Sequence, residues 1–417
     1  MTRAVYAVAT MDTKGEEIAY VAQCLRAAGA AVRTVDVGTS GPPTVTPDIT
    51  RQQVTGIAAL DAGGLRDSGR GEAVTAMSSA VRDFLLAEHQ AGRVAGVIGI
   101  GGSGGTAIAT AAMRALPIGL PKLMVSTVAS GNIAPYVDCC DITMMYSVVD
   151  VAGLNVVSRS VLGNAAHAMA GMVAHAVAVP ASRPTLGMTM FGVTTPCVTA
   201  VREALEAEGY DCLVFHATGT GGRAMENLVA SGLVQGVLDI TTTEVADEVV
   251  GGVFPAGPHR FDRILASRVP YVVSVGALDM VNFGSRETVP ERFRDRTLHV
   301  HNAQVTLMRT TPAENREMAR WIADKLNTAT EPVVVLIPEG GVSMLDAPGQ
   351  PFHAPDANQA LFDELELCLR QSPVCRVVRL PHHINDAAFA RALVDAFLSL
   401  SATRRNPDSG RIQKLNP

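Results

Sequence analysis

The stretch Val97-Ile98-Gly99-Ile100-Gly101-Gly102-Ser103-Gly104-Gly105-Thr106-Ala107-Ile108-Ala109 joins a short β-branched run to a run of helix formers. Between them lies Gly101–Thr106, a turn in which four of six residues are glycine. Glycine lets the backbone take positive φ and come close to an anion. The first N–H groups of the following helix, reinforced by its dipole, point at whatever sits there. Ser103 and Thr106 add hydroxyl donors. Gly101, Gly102, Ser103, Gly104, Gly105 and Thr106 are therefore candidate phosphate-binding residues. No lysine follows in the G-x-x-x-x-G-K-[ST] position, and G-x-G-x-x-G fits poorly. A tight strand–helix turn without a ligand is the alternative.

Outward from this stretch, short apolar runs alternate with helical patterns. Strands are expected over Val5–Thr10, Ala31–Val37, Val97–Ile100 and Lys122–Thr127, with helices over Glu16–Ala28, Gly71–Gln90 and Thr106–Leu116. Strands separated by helices of this length imply parallel βαβ units with right-handed crossovers. The pattern restarts near residue 185, with strands at Leu186–Val193, Cys212–Ala217, Val237–Ile240, Tyr271–Val275 and Val333–Ile337. Helices are expected over Pro196–Glu208, Glu314–Leu326, Asn358–Leu369 and Ala387–Leu400. At 417 residues the chain exceeds the size at which one core keeps growing. The expectation is an α/β protein of two Rossmann-like, doubly wound domains with mainly parallel sheets. Residues 1–182 form the first, with a helical connector over 154–178. Residues 183–400 form the second, and 401–417 form a flexible tail.

Apolar residues make up 47% of the chain and aromatics only 4%, which suits buried strands packed closely on small-residue helices. The net charge is −6 with basic residues scattered, so no nucleic-acid footprint is expected. Seven cysteines without C-x-x-C pairing point to reduced thiols in a cytosol. Met1-Thr2-Arg3 leads straight into a strand pattern, so no signal peptide is expected. The longest apolar run, near Ala165–Val179, is broken by His167 and His175 and is too short for a membrane span.

Other polar loops follow expected strands. Asp12, Thr13 and Lys14 come after the first, where Asp12 or Thr13 suits a helix cap and Lys14 suits a phosphate. In a doubly wound sheet this loop and the glycine loop share the C-terminal edge, where ligands bind. Thr127, Ser130, Gly131 and Asn132 end another strand and suit a ribose or phosphate. Asp138 and Asp141 are weighed as Mg²⁺ holders against turn caps, and no metal ligand is assigned. In the second half, His216, Glu244 and Glu339 are candidate acid–base residues, with Asp279 and His301 behind them. His382 and His383 lack metal-ligand spacing. No serine triad or G-x-S-x-G elbow is present.

The segments VYAVATMDTKGEEIAYVAQCL (5–25), VIGIGGSGGTAIATAAM (97–113), STVASGN (126–132), DITMMYSVVDVAGLN (141–155) and VLIPEGGVSMLD (335–346) carry a resemblance. Together they resemble the Tm-1-like ATP-binding family, over essentially residues 1–400. The resemblance implies two Rossmann-like subdomains, nucleotide binding and a homodimer. It makes Gly102–Thr106 nucleotide-loop residues, with Thr13 and Lys14 nearby. The expected function is ATP binding with Mg²⁺ bridging the phosphates, and an enzyme acting on an unidentified small molecule in the cleft between the domains. A non-catalytic ATP-dependent protein-binding module, and an enzyme for a sugar phosphate or acyl phosphate, remain open alternatives. No nucleic-acid or membrane partner is expected.

Overall fold

The computed structural model describes residues 3–56, 69–175 and 183–405. The chain divides into two compact units, residues 1–180 and 181–417. The expected boundary residue Ser182, connector residues 176–178 and tail residues 406–417 lie outside the described residues.

The first unit runs β1 (Ala4–Ala9), α1 (Met11–Ala27), β2 (Val32–Asp36), α2 (Arg51–Thr55), α3 (Arg70–Gln90), β3 (Val94–Gly101) and α4 (Ser103–Ala115). It continues through β4 (Lys122–Ser126), α5 (Ala134–Val137), β5 (Thr143–Tyr146) and α6 (Val156–Ala174). Its five strands are all parallel, in the order β2-β1-β3-β4-β5. Alternate residues of β1, β3 and β4 face opposite cores, as the two-residue period of a strand requires. Val5, Ala7, Ile98 and Val125 pack with α1 and α6, whereas Tyr6, Val8, Val97 and Met124 pack with α3 and α4. The sheet is therefore doubly wound.

The second unit repeats this plan. Its strands are β6 (Thr185–Met190), β7 (Asp211–His216), β8 (Gly236–Thr241), β9 (Tyr271–Gly276), β10 (Met280–Phe283), β11 (Leu298–Asn302), β12 (Val305–Arg309), β13 (Val333–Pro338) and β14 (Cys375–Leu380). Its helices are α7 (Thr195–Ala207), α8 (Thr220–Ala230), α9 (Thr243–Val250), α10 (Asp262–Ser267), α11 (Pro312–Leu326), α12 (Pro355–Cys368) and α13 (Ala387–Arg405). The main sheet is parallel, in the order β14-β13-β9-β8-β6-β7. In each unit the second strand lies outside the first, and the third continues on the first's other side. Each sheet thus has a switch point, between β1 and β3 in the first unit and between β6 and β8 in the second. A small antiparallel sheet, β10-β12-β11, is inserted after β9.

Several elements differ from expectation. β5, β14 and the antiparallel insert were not anticipated. Helix α13 runs on to Arg405, so the first five residues of the expected tail are helical. Helix α4 begins at Ser103, not Thr106, which makes Gly104 and Gly105 part of its first turn. Helix α1 begins at Met11 rather than Glu16 and carries one non-helical residue, Lys14.

The start of α1 is pinned by a buried ion pair. The Asp36 carboxylate accepts the N–H groups of Met11 (3.1 Å) and Gly38 (2.9 Å), and Arg51 Nε lies 2.7 Å from its other oxygen. Both charged side chains are almost wholly buried. Replacing Arg51 with Met leaves Asp36 charged and unpaired, a change that typically costs about 3–5 kcal/mol. Arg51→Met is expected to lower the urea midpoint of the first unit, read by circular dichroism, and a midpoint within error of the wild type would contradict this role.

Candidate functional site

The first unit's switch point lies where β1 ends at Ala9 and β3 ends at Gly101. Both following helices begin there, so Thr10–Lys14 and Gly101–Thr106 meet on one rim. A Cβ placed on Gly105 would lie 4.0 Å from Thr10 Oγ1, and one on Gly102 would lie 3.7 Å from Thr127 Oγ1. The two loops expected to share this edge therefore lie together, and the loop after β4 adjoins them. No side chain caps α4. The Thr106 N–H is bonded to the Gly102 carbonyl at 2.9 Å, which leaves the Ser103, Gly104 and Gly105 N–H groups without an intrahelical acceptor.

Internal packing does not demand glycine at these positions. A Cβ on Gly102, Gly104 or Gly105 would meet nothing closer than 3.5 Å, and none of the three has positive φ. Gly101 differs, because its Cβ would come within 3.0 Å of Gly105 Cα.

The remaining expected residues of the first unit divide. Ser103, Thr13, Ser130, Gly131 and Asn132 are exposed, and Lys14 and Thr127 are half-buried. The Thr106 hydroxyl does not face the rim, since it is buried and bonded to Ser126 Oγ at 2.6 Å. Asp12 does not cap its own helix. One of its carboxylate oxygens accepts the N–H groups of Ser40 (2.9 Å) and Gly41 (3.2 Å), holding the loop after β2. Asp141 lies at the opposite edge of the sheet. There its oxygens take Lys122 Nζ (2.6 Å) and the Gly119 N–H (2.7 Å), so it is no partner of Asp138 in a metal site. A cavity of about 480 Å³ lined by residues such as Arg3, His89, Leu120 and Pro121 also opens at that N-terminal edge, away from the glycine rim.

The second unit's glycine-rich turn follows its edge strand β7 rather than its switch point, and it is closed. Glu244 is completely buried. Its Oε1 accepts the Gly219 and Gly222 N–H groups at 2.7 and 3.0 Å, and its Oε2 takes Arg260 Nε at 2.9 Å. Since Gly219 is the N-cap of α8 and Gly222 lies in its first turn, Glu244 supplies the anion for that helix N-terminus. The glycines here are required by packing. Gly219 has φ +80°, and a Cβ on Gly222 would lie 2.1 Å from Glu244 Oε2. Arg260 also binds Glu226 (3.1 Å) and Asp239 (2.8 Å), so one buried guanidinium faces three buried carboxylates. Burial opposes the charge on Arg260, but the three carboxylates hold its pKa well above the ordinary value. Burial pushes the Glu226 carboxyl up, while Arg260 and the Phe261 and Arg263 N–H groups oppose that shift. Tyr271 and Thr189 hydroxyls donate to Asp239 at 2.9 and 2.6 Å. With both oxygens engaged and no exposure, Glu244 does not fit the expected role of general base.

The other candidates are not brought together. His216 ends the edge strand β7, is exposed, and lies with its ring 5.2 Å from that of Phe191. Glu339 follows β13, is exposed, and sits 3.6 Å from Arg379. Strands β9, β8 and β6 intervene between β13 and β7, which at about 4.8 Å per strand keeps the two groups roughly 19 Å apart. His301 is exposed on β11. A hydroxyl after β6 and one at the end of β8 bond each other, with Thr194 Oγ1 and Thr241 Oγ1 2.7 Å apart. Asn385 caps α7 by accepting the Cys197 N–H at 3.3 Å. His383 donates through Nε2 to the Ser343 carbonyl (2.9 Å), because its Nδ1 accepts the Asn385 N–H (3.1 Å). Among the described residues no group of three or more His, Cys, Asp or Glu side chains could hold a metal, and no helix is long and apolar enough to cross a membrane.

One acidic residue that sequence reasoning placed only in reserve is chemically unusual. Asp279 is fully buried, and only one of its oxygens is bonded, to Ser343 Oγ at 2.7 Å. Burial, and then the nearby Asp346 carboxylate, raise its pKa to about 7. Nothing in the residue pattern distinguishes it from a turn aspartate.

Two doubly wound α/β units, one with an uncapped glycine-rich turn at its switch point and one whose glycine-rich turn after β7 holds a buried carboxylate, define a Rossmann-like protein. Residues 3–178 match the N-terminal domain, and residues 183–401 the C-terminal domain, of the uncharacterised protein family UPF0261, and the chain belongs to that family. It is 55% identical to a UPF0261 protein of Rhizobium meliloti over 95% of this chain and 99% of that one. A UPF0261 protein of Clostridium tetani is 44% identical over 96% of this chain and 99% of its own length. The ToMV resistance protein Tm-1 of Solanum lycopersicum is 47% identical over 96% of this chain, a match that spans 56% of the tomato protein.

The charge cluster and Asp279 each generate a test. Arg260→Met leaves three buried carboxylates without a cation and is expected to destabilise the second unit by about 3–5 kcal/mol or more. Glu244→Gln keeps an acceptor for Gly219 and Gly222 and should cost clearly less; equal urea midpoints for the two variants would refute this account. Because the folded pKa of Asp279 is raised, the stability it contributes is complete below its ordinary value of 3.8 and is lost as pH rises through about 7. Asp279→Asn should flatten the decline in unfolding free energy across that window, with a remainder from Asp247, whose carboxyl burial also raises to about 7.

Proposed function

We propose that the first unit binds a nucleotide by its phosphates, ATP being the form the family resemblance favours, at the N-terminus of α4. The observation that carries this reading is the contrast between the two glycine-rich turns. In the second unit the glycines are needed by packing and the helix N-terminus holds the protein's own Glu244. In the first unit Gly102, Gly104 and Gly105 have room for side chains, and the helix has no cap. Backbone donors with a positive helix end and no internal anion suit an external one.

The Ser103, Gly104 and Gly105 N–H groups would take phosphate oxygens, with the Ser103 and Thr13 hydroxyls beside them. Lys14 would supply a point charge from the kinked start of α1. Thr127, Ser130, Gly131 and Asn132 extend the rim along the end of β4. The carboxylates near the rim do not fit a resident metal, because Asp12 is turned to Ser40 and Gly41. Mg²⁺ would therefore arrive with the phosphates as their counter-ion. Binding, rather than a particular reaction, is what the residues support, since His216, Glu244 and Glu339 form no acid–base pair. That favours an ATP-dependent binding protein over an enzyme using those three residues.

Calorimetric titration tests the reading. Gly104→Asp should fold, because a carboxylate in the first turn suits the helix dipole, yet abolish ATP binding by occupying the cradle. Lys14→Ala should weaken binding by about 1–3 kcal/mol. Unchanged ATP affinity in Gly104→Asp would remove α4 from the site. Displacement of ATP by sugar phosphates or acyl phosphates would instead identify the loop's ligand as one of those.

A further inference from the structure

We infer that Tyr146, backed by Val148, is the platform on which the base of the bound nucleotide stacks; this rests on the phosphate reading above. The geometry runs through bonded neighbours. Thr106, in the first turn of α4, is bonded to Ser126 at the end of β4. Ser126 pairs in register with Tyr146, the last residue of β5. Two residues earlier Met124 pairs with Met144, and both pack with Ile108, Ala109 and Met113 of α4. By the two-residue period of a strand, Tyr146 lies on that same face, one strand spacing of about 4.8 Å beyond Ser126. The exposed segment Ser130–Asn132 follows β4 in the chain. A phosphate at the start of α4 and a ring over Tyr146 would thus be separated by about two strand spacings, roughly 10 Å, which a ribose and its linkages can bridge.

The surroundings of Tyr146 are those of a contact surface. Tyr146 is 43% exposed and Val148 is 57% exposed, although this is the rim of a sheet whose cores are otherwise apolar and covered. Val148 has φ +66°, a conformation that costs a β-branched residue free energy and persists only where its neighbours impose it. They do so here. The Val149 N–H bonds the Ser147 carbonyl at 2.7 Å, Ser147 Oγ donates to the Val149 carbonyl at 2.7 Å, and the Ser147 N–H bonds Ser126 at 3.2 Å. Further along, buried Glu17 takes the Gly153 N–H at 2.6 Å, tying the segment to α1. A strained turn anchored at both ends leaves an apolar residue exposed two positions after an exposed aromatic one. Stacking on such a pair uses the face of the base and not its edge, so the site should accept adenine and guanine alike.

Titrating the full-length protein with ATP, GTP and inorganic tripolyphosphate tests this. The wild type should bind ATP and GTP within a few-fold of each other and both more tightly than tripolyphosphate. Tyr146→Ala should lower ATP affinity about tenfold and leave tripolyphosphate affinity unchanged, while Tyr146→Phe should retain the ATP value. Val148→Gly, which relieves the strained φ, should raise thermal stability yet weaken ATP. If tripolyphosphate binds but ATP binds no more tightly, or if Tyr146→Ala leaves ATP unaffected, the platform is overturned and the phosphate site stands. If Tyr146→Ala weakens ATP and tripolyphosphate equally, Tyr146 acts on the fold and the platform is likewise overturned. If the wild type binds none of the three ligands, both readings fall.

Discussion

The N–H groups in the first turn of a helix have no partner within the helix, and at the C-terminal edge of a parallel sheet several such turns face one rim. Whatever accepts from them shapes the loops around it. In the second unit the acceptor at α8 is Glu244, and much of the local structure follows from that choice. The carboxylate must be buried to reach Gly219 and Gly222, and a buried charge needs a counter-charge. Arg260 supplies it and in turn gathers Asp239 from β8 and Glu226 from α8. The chain between α9 and β9 is thereby tied to the sheet by four charged side chains. In the first unit the first turn of α4 is given no such partner.

The same economy of charge recurs at smaller scale near the glycine rim. Asp36, at the end of β2, holds the start of α1 and the following loop through backbone N–H groups, and Arg51 neutralises it. Asp12 then faces away from the rim to hold Ser40 and Gly41. These carboxylates accept from backbone donors in order to position the rim, leaving Lys14 and the α4 N–H groups as the rim's own chemistry. Buried networks of this kind tolerate little change, because a single missing partner strands a charge in a low-dielectric interior.

Much of the fold is legible in the residue pattern. Val5–Val8 and Val97–Ile100 read as strands because both faces are covered and the runs are continuously apolar. β14, with Arg376 and Arg379 among its residues, and β5, with Thr143 and Tyr146 exposed, are edge strands. Their half-exposed sequences lack that signal. The antiparallel insert is hidden for a related reason, since β11 reads LHVHN, with only two apolar residues and none of the five buried. Glu244 misleads because a carboxylate just after a strand has the same local sequence whether it faces the rim or turns inward. Only Gly219, Gly222 and Arg260, between 16 and 25 residues away, decide its direction.

By itself the sequence determined that two parallel α/β units exist, and that a glycine-rich junction at Gly101–Thr106 joins a strand to a helix. Those are local properties, set by side-chain period and by the conformational freedom of glycine. What the glycines are for was decided by tertiary structure. GTGG at 219–222 and GGSGG at 101–105 look alike as strings, yet one is packed against a buried carboxylate and the other has open space for side chains at Gly102, Gly104 and Gly105. That distinction depends on which distant residues the sheet order brings to each turn, and such long-range packing leaves no trace in the local pattern.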